Sequence, residues 1–233
     1  MTNARKSTPP PASGSNRSIW IVGAVVLVIG IALVTAIVVS SKTKSTGGQP
    51  KGSAGTVVAD GSNETAPVTI VGTALPEHNS SATVDAAVGQ VAPNLTGVDF
   101  AGKPITIAND GKPKVIMFLA HWCPHCQAEV PRIQNWLDEN GTPSDVALYS
   151  VPTSTTSTRP NYPPSDWLVG KSWTVPVLVD SEQSEAASAY GLTSFPYFVV
   201  VGADGKVVER ASGELTMPEF AALLDAARAG HAQ

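Results

Sequence analysis

Cys123 and Cys126 are the only cysteines in the 233-residue chain, and they bracket a proline and a histidine in Cys123-Pro124-His125-Cys126. The motif follows the apolar run Lys114-Val-Ile-Met-Phe-Leu-Ala120 and opens a segment with helical spacing. A strand that runs into Cys-x-x-Cys and then a helix places the first sulfur at the helix N-terminus. There, unpaired backbone N–H groups and the macrodipole favour a thiolate over a thiol. The thiolate is the nucleophile of disulfide exchange, and a second cysteine one turn away can close the ring. Cys123 is therefore the candidate attacking nucleophile and Cys126 the candidate resolving thiol. A permanent staple across so short a loop would remove little unfolded-state entropy. A zinc site needs about four ligands, and only His121 and His125 lie near in sequence. The chemistry expected is thiol–disulfide redox exchange through a Cys123–Cys126 disulfide, with no other cofactor and no metal.

The intervening residues tune that chemistry. Pro124 suits the first turn of a helix, where a missing N–H has no intrahelical use. His125 either donates a hydrogen bond or positive charge to the Cys123 thiolate, which would make the disulfide more oxidising, or is a solvated surface residue. Glu129 lies three residues after Cys126 on the same helix face. It is either a carboxylate whose pKa is raised by burial, able to take the resolving thiol's proton, or a solvated helix residue.

The elements that must hold these residues are legible in outline. Lys114 to Leu119 reads as a strand buried on both faces. Val130, Ile133, Trp136 and Leu137 give Gln127–Glu139 a helical period that stops at Asn140-Gly141. Short strands are expected at 68–71 and 145–151, a strand or extended segment at 175–179, and a hairpin from 98–100 and 105–107. Helices are expected at 165–170 and 184–190, the latter stopped by Gly191. Residues 197–201 and 206–210 flank Ala203-Asp-Gly205, an antiparallel hairpin signal. Thr216 and Glu219 form a capping box for a final helix. Strands alternating with helices, then a hairpin and a helix, predict an α/β fold with a mixed sheet.

Upstream the composition changes. Residues 1–18 are rich in Ser, Pro and Asn, with Arg5, Lys6 and Arg17. Residues 19–39 form an uncharged apolar run of 21 residues, enough for one transmembrane helix and longer than a usual signal-peptide core, with a cleaved signal ending at Val34-Thr35-Ala36 as the alternative. Residues 40–66 read as a flexible linker rich in Ser, Gly, Thr and Lys, and residues 67–233 as one packed domain. Basic residues flank the run almost evenly. The amino terminus tips the balance toward a cytoplasmic tail and an extracytoplasmic domain. From Ala66 onward there are 17 Asp/Glu against nine Lys/Arg and no basic patch, so nucleic acid is excluded as a partner.

The run Phe118-Leu-Ala-His-Trp-Cys-Pro-His-Cys126, with Glu129, Pro131, Ser194-Phe-Pro196 and the Ala203-Asp-Gly205 hairpin, resembles the thioredoxin-like superfamily. Val91-Ala-Pro-Asn-Leu95 and Gly102-Lys-Pro104 extend the likeness to the membrane-tethered, extracytoplasmic TlpA/ResA-like branch of the redoxins over about residues 90–230. The resemblance implies a thioredoxin-like domain behind a single-pass membrane anchor at the cell membrane. It exchanges disulfides with exported thiol or disulfide proteins and with a membrane or extracytoplasmic redox partner. It implies a cis bond before Pro196, exposing Phe195 to substrate chains, with Pro176 as competitor, and a substrate-facing Trp122. His121 stands at a position that varies in such proteins. The Pro-His pair is that of DsbA-type oxidases, whereas the branch leans toward reduction. Cytosolic thioredoxins carry a buried acid where Met117 stands here, so proton handling differs from theirs. A thioredoxin-like metal-binding or docking module without redox turnover, and a peroxidase, are the alternative readings.

Overall fold

The computed structural model describes residues 63–230. The apolar run 19–39, the tail before it and the linker up to residue 62 lie outside the described residues. No helix among the described residues is long and apolar enough to cross a membrane. The last residues of the expected linker are packed. Ser165 donates to the Glu64 carboxylate from both its amide and its hydroxyl, and the Ala66 amide donates to Asp180 O at 3.1 Å.

Two sheets form. The strands β1 (Thr69–Val71), β2 (Asn94–Val98) and β3 (Pro104–Ile107) make a three-stranded antiparallel sheet. The central sheet has β4 (Lys114–Leu119), β5 (Ala147–Pro152), β6 (Tyr197–Val201) and β7 (Val207–Ser212) in the order β5-β4-β6-β7. β4 pairs parallel to β5 and antiparallel to β6, which pairs antiparallel to β7, so the sheet is mixed as expected. Helices α1 (Pro124–Asn140), α2 (Pro164–Val169), α3 (Glu185–Ala189) and α4 (Met217–Ala229) complete the domain. Thr216 and Glu219 close the anticipated capping box on α4. Several boundaries shift by a few residues from the sequence pattern, most of all in the early hairpin. The first strand of the early hairpin runs from Asn94 to Val98 instead of over 98–100. Residues 175–179 stay extended but pair only through a single bridge, Val177 to Ser150.

The central strand explains how the sheet carries two cores. Side chains alternate across a strand, and every residue of β4 is buried. Val115, Met117 and Leu119 face one core with Val130 and Ile133 of α1 and Phe220 and Leu223 of α4. Ile116 and Phe118 face the other, with Tyr190, Leu95, Ile107 and the small alanines of α3.

Two buried charged side chains, Asp180 and Arg210, anchor the loops around the sheet. Asp180 accepts from the amides of Ser181, Ala186 and Ala187 at 2.8, 2.8 and 3.1 Å and from Thr153 Oγ1 at 2.6 Å, tying the start of α3 to the end of β5. Arg210 of β7 forks onto Asp85 and also donates to Pro76 O and Tyr190 O. Gly191 sits against this cluster at φ +72°. A Cβ there would meet Pro76 O at 2.2 Å, so the turn that ends α3 requires glycine.

Candidate active site

The chain leaves β4 at Leu119 and turns directly into α1. The Cys123 amide donates to Ala120 O at 3.0 Å, and Cys123 caps α1 with extended dihedrals. Pro124 occupies the first turn, and the first helical bond runs from the Gln127 amide to Cys123 O at 3.0 Å. Both cysteines are free thiols. Cys123 keeps 6% of its surface exposed and Cys126 none. The Ala120 amide donates to Cys126 Sγ at 3.4 Å. Burial pushes the Cys126 thiol far above its ordinary range, and the neighbouring Cys123 and Glu129 add to the shift against the Ala120 bond. Cys126 is therefore a proton-bearing thiol that needs an acceptor before it can attack.

Glu129 is fully buried, not solvated. Its Oε1 accepts from the Leu215 amide at 3.2 Å, and Arg132 donates to its Oε2. Burial raises the Glu129 pKa even though Arg132 and the Leu215 amide hold it down. Arg132 also donates to Glu214 Oε2 at 2.9 Å, and Glu214 Oε1 lies 2.6 Å from His125 Nδ1. That bond to His125, with Arg132 beside it, holds the Glu214 carboxyl below its usual range. A four-residue arm, Glu129–Arg132–Glu214–His125, thus runs from the helix interior to the motif surface. His125 is exposed, and its Nδ1 is committed to Glu214 instead of to the Cys123 sulfur.

The rim of the site comes from three separated segments. Trp122 donates from Nε1 to Ser154 O at 2.9 Å and meets Phe195 edge-on, with ring centroids 5.7 Å apart. The Arg159 guanidinium lies 4.5 Å from the Trp122 ring centroid. The Phe195–Pro196 bond is cis; Pro176 has no cis bond, whereas Tyr162–Pro163 does. His121 is buried and bonded. Its Nδ1 lies 2.7 Å from Pro160 O, its Nε2 accepts from the Thr156 amide at 3.3 Å, and its carbonyl accepts from Asn161 and Gln127. Those bonds require a neutral ring, and burial lowers its pKa accordingly. His121 fastens the loop 153–163 beside the motif.

The structure brings Cys123, Cys126, Glu129, His125 and Pro124 together on the start of α1, with Trp122 and Phe195 packed against one another beside them. Met117 is buried on β4 in the core that also contains Cys126. Arg132, Glu214, Arg159 and Ser154 escaped the sequence reading. Arg132 had a signal, three residues beyond Glu129 on one helix face. Glu214 had none, since it reaches His125 only through the sheet order.

Residues 88–210, more than half of the chain and including the cysteine motif, match the AhpC/TSA family model. The chain belongs to the AhpC/TSA family. Among its relatives is the sporulation thiol-disulfide oxidoreductase A of Bacillus subtilis, 25% identical over 119 residues, which are 51% of this chain and 70% of that protein. Another is the thiol-disulfide oxidoreductase ResA of Bacillus thuringiensis, 27% identical over 134 residues, 57% of this chain and 74% of that protein. A solved thiol:disulfide interchange protein of Chlorobium tepidum superposes with TM-score 0.50 at 24% identity, covering 62% of this chain and 99% of that one. That likeness shows a shared thioredoxin-like fold for this member of the family.

Proposed function

We propose that this AhpC/TSA member is a membrane-tethered, extracytoplasmic thiol–disulfide oxidoreductase that exchanges disulfides with exported proteins. The observation that carries the chemistry is Cys123 capping α1 with Cys126 fully buried behind it. In the reducing direction the Cys123 thiolate attacks one sulfur of a substrate disulfide and displaces the first substrate thiolate. Cys126 then attacks Cys123 Sγ, gives up its proton and releases the second thiolate. Two electrons have passed to the substrate, and a Cys123–Cys126 disulfide remains. The oxidising direction is the reverse. Glu129 takes the Cys126 proton. Trp122, Phe195 and the backbone at Pro196 form the surface against which a substrate segment lies.

The relatives' names support the reaction, and the apolar run 19–39 supports the tether. The exported substrates and the extracytoplasmic redox partner follow from that placement. Cys123→Ala abolishes exchange with a disulfide-bonded reporter protein, while Cys126→Ser accumulates mixed disulfides at Cys123. Activity persisting in Cys123→Ala, or stoichiometric Cu(I) binding without exchange, would overturn the reading. A membrane-impermeant thiol reagent labels Cys123 in intact cells if the domain is outside. Direction follows from the reduction potential: about −120 mV marks a strong oxidant and about −270 mV a reductant.

A further inference from the structure

The arm that joins Glu129 to His125 has an outer half that disulfide exchange does not itself require. Glu214 belongs to the connection between β7 and α4, 89 residues from His125 in sequence, yet it is bonded to the histidine within the motif. Its carboxylate holds His125 Nδ1 at 2.6 Å and Arg132 Nη2 at 2.9 Å, so both of its oxygens are occupied by partners that carry or can carry positive charge.

We propose that Glu214 is a positioning residue that sets the reduction potential of the Cys123–Cys126 couple by holding His125. This rests on the redox reading above. A thiolate at Cys123 is stabilised by positive charge and hydrogen-bond donors near its sulfur, and stabilising it favours the dithiol over the disulfide. His125 stands two residues from Cys123 and is the motif's own source of both. With Nδ1 bound to a carboxylate, the ring's position is fixed and any charge it carries is largely neutralised. The couple is therefore less oxidising than its Cys-Pro-His-Cys motif alone would make it. Removing Glu214 frees the ring to turn toward the sulfur and removes a negative charge from the motif's surroundings. Both changes act in the same direction.

The test is equilibration of the full-length protein with glutathione buffers, scoring dithiol and disulfide by thiol alkylation. This readout needs no protein substrate, so it stands apart from any failure to exchange with one. Glu214→Ala moves the equilibrium about tenfold toward the dithiol, a rise of about 30 mV. Glu214→Gln, which keeps an oxygen to accept from the ring but removes the charge, moves it the same way by less. With His125 already replaced by Ala, most of the Glu214→Ala shift disappears. No shift in either Glu214 variant, a shift toward the disulfide, or an undiminished shift without the histidine ring would overturn the proposal.

Discussion

Replacing Glu129 by Gln separates the two chemical steps at this site. Cys126 is fully buried and its thiol is held protonated by that burial. An ordinary cysteine, pKa near 8.5, is only about 3% thiolate at pH 7, and each further unit of upward shift costs another tenfold. Spontaneous ionisation would leave the resolving step very slow. A positioned general base contributes about 10²–10⁴-fold, and Glu129 is a buried carboxylate one turn along α1 whose pKa is raised by that burial. Gln keeps the size and an oxygen for the Leu215 amide but cannot take a proton. The assay begins with Cys123 in a mixed disulfide with a chromogenic aromatic thiol and follows its release by Cys126 in stopped flow from pH 5 to 9. The wild type should rise to a plateau once Glu129 is ionised. Glu129→Gln should release the thiol about 100-fold more slowly at pH 7 and show no plateau, climbing about tenfold per pH unit. Attack by Cys123 on an external disulfide should be unchanged. Release at the wild-type rate across the pH range would refute the assignment of Glu129 as proton acceptor.

Other outcomes follow from the anchors of the fold. Asp180→Ala strands three amides and the Thr153 hydroxyl in a buried site. It should cost about 3–4 kcal/mol, lowering Tm by roughly 10 °C in calorimetry; a loss below 3 °C would contradict the accounting. Asp85 has its pKa lowered because its bonds to Arg210 and the Ala87 amide outweigh burial, which acts the other way. A carboxyl depressed on folding adds stability above its unfolded pKa of about 3.9 and loses it as pH falls through the folded value. Asp85→Asn should therefore be less stable by about 3 kcal/mol at pH 7, with the gap in denaturant midpoints closing below about pH 4. A gap independent of pH would refute the ion-pair origin. Glu129, raised on folding, has the opposite sign: its contribution is fully present below its unfolded pKa and is lost as pH rises through the folded one. The stability of Glu129→Gln relative to wild type should accordingly improve as pH rises in parallel urea titrations.

The parts of the molecule that were legible in sequence are those written over a few neighbouring residues. The buried strand Lys114–Leu119 appears with the boundaries its apolar run suggests, because a strand covered on both faces needs apolar side chains on both. The capping box at Thr216 and Glu219, and Gly191 after α3, are local grammar. The motif and its helix were equally plain, although the helix begins at Pro124, three residues before its apolar period does. Contacts made by topology were hidden. Nothing near Glu214 announces His125, and nothing near His121 announces the loop it fastens. Residues 175–179 look like a strand by composition, but the two bonds of Ser150 with Pro176 O and the Leu178 amide make only one bridge, and Pro176 has no N–H with which to extend the ladder.

The amide of Ala120 donates to the sulfur of Cys126, one residue beyond the last of the central strand. A disulfide sulfur is a poorer acceptor than a thiol or thiolate, so this single N–H experiences the electron count of the site directly. The oxidation state of the protein is consequently written into its backbone. Its nitrogen chemical shift, or the rate at which its proton trades with deuterium, reports in residue-specific form whether the cysteines are joined, with no label on either sulfur.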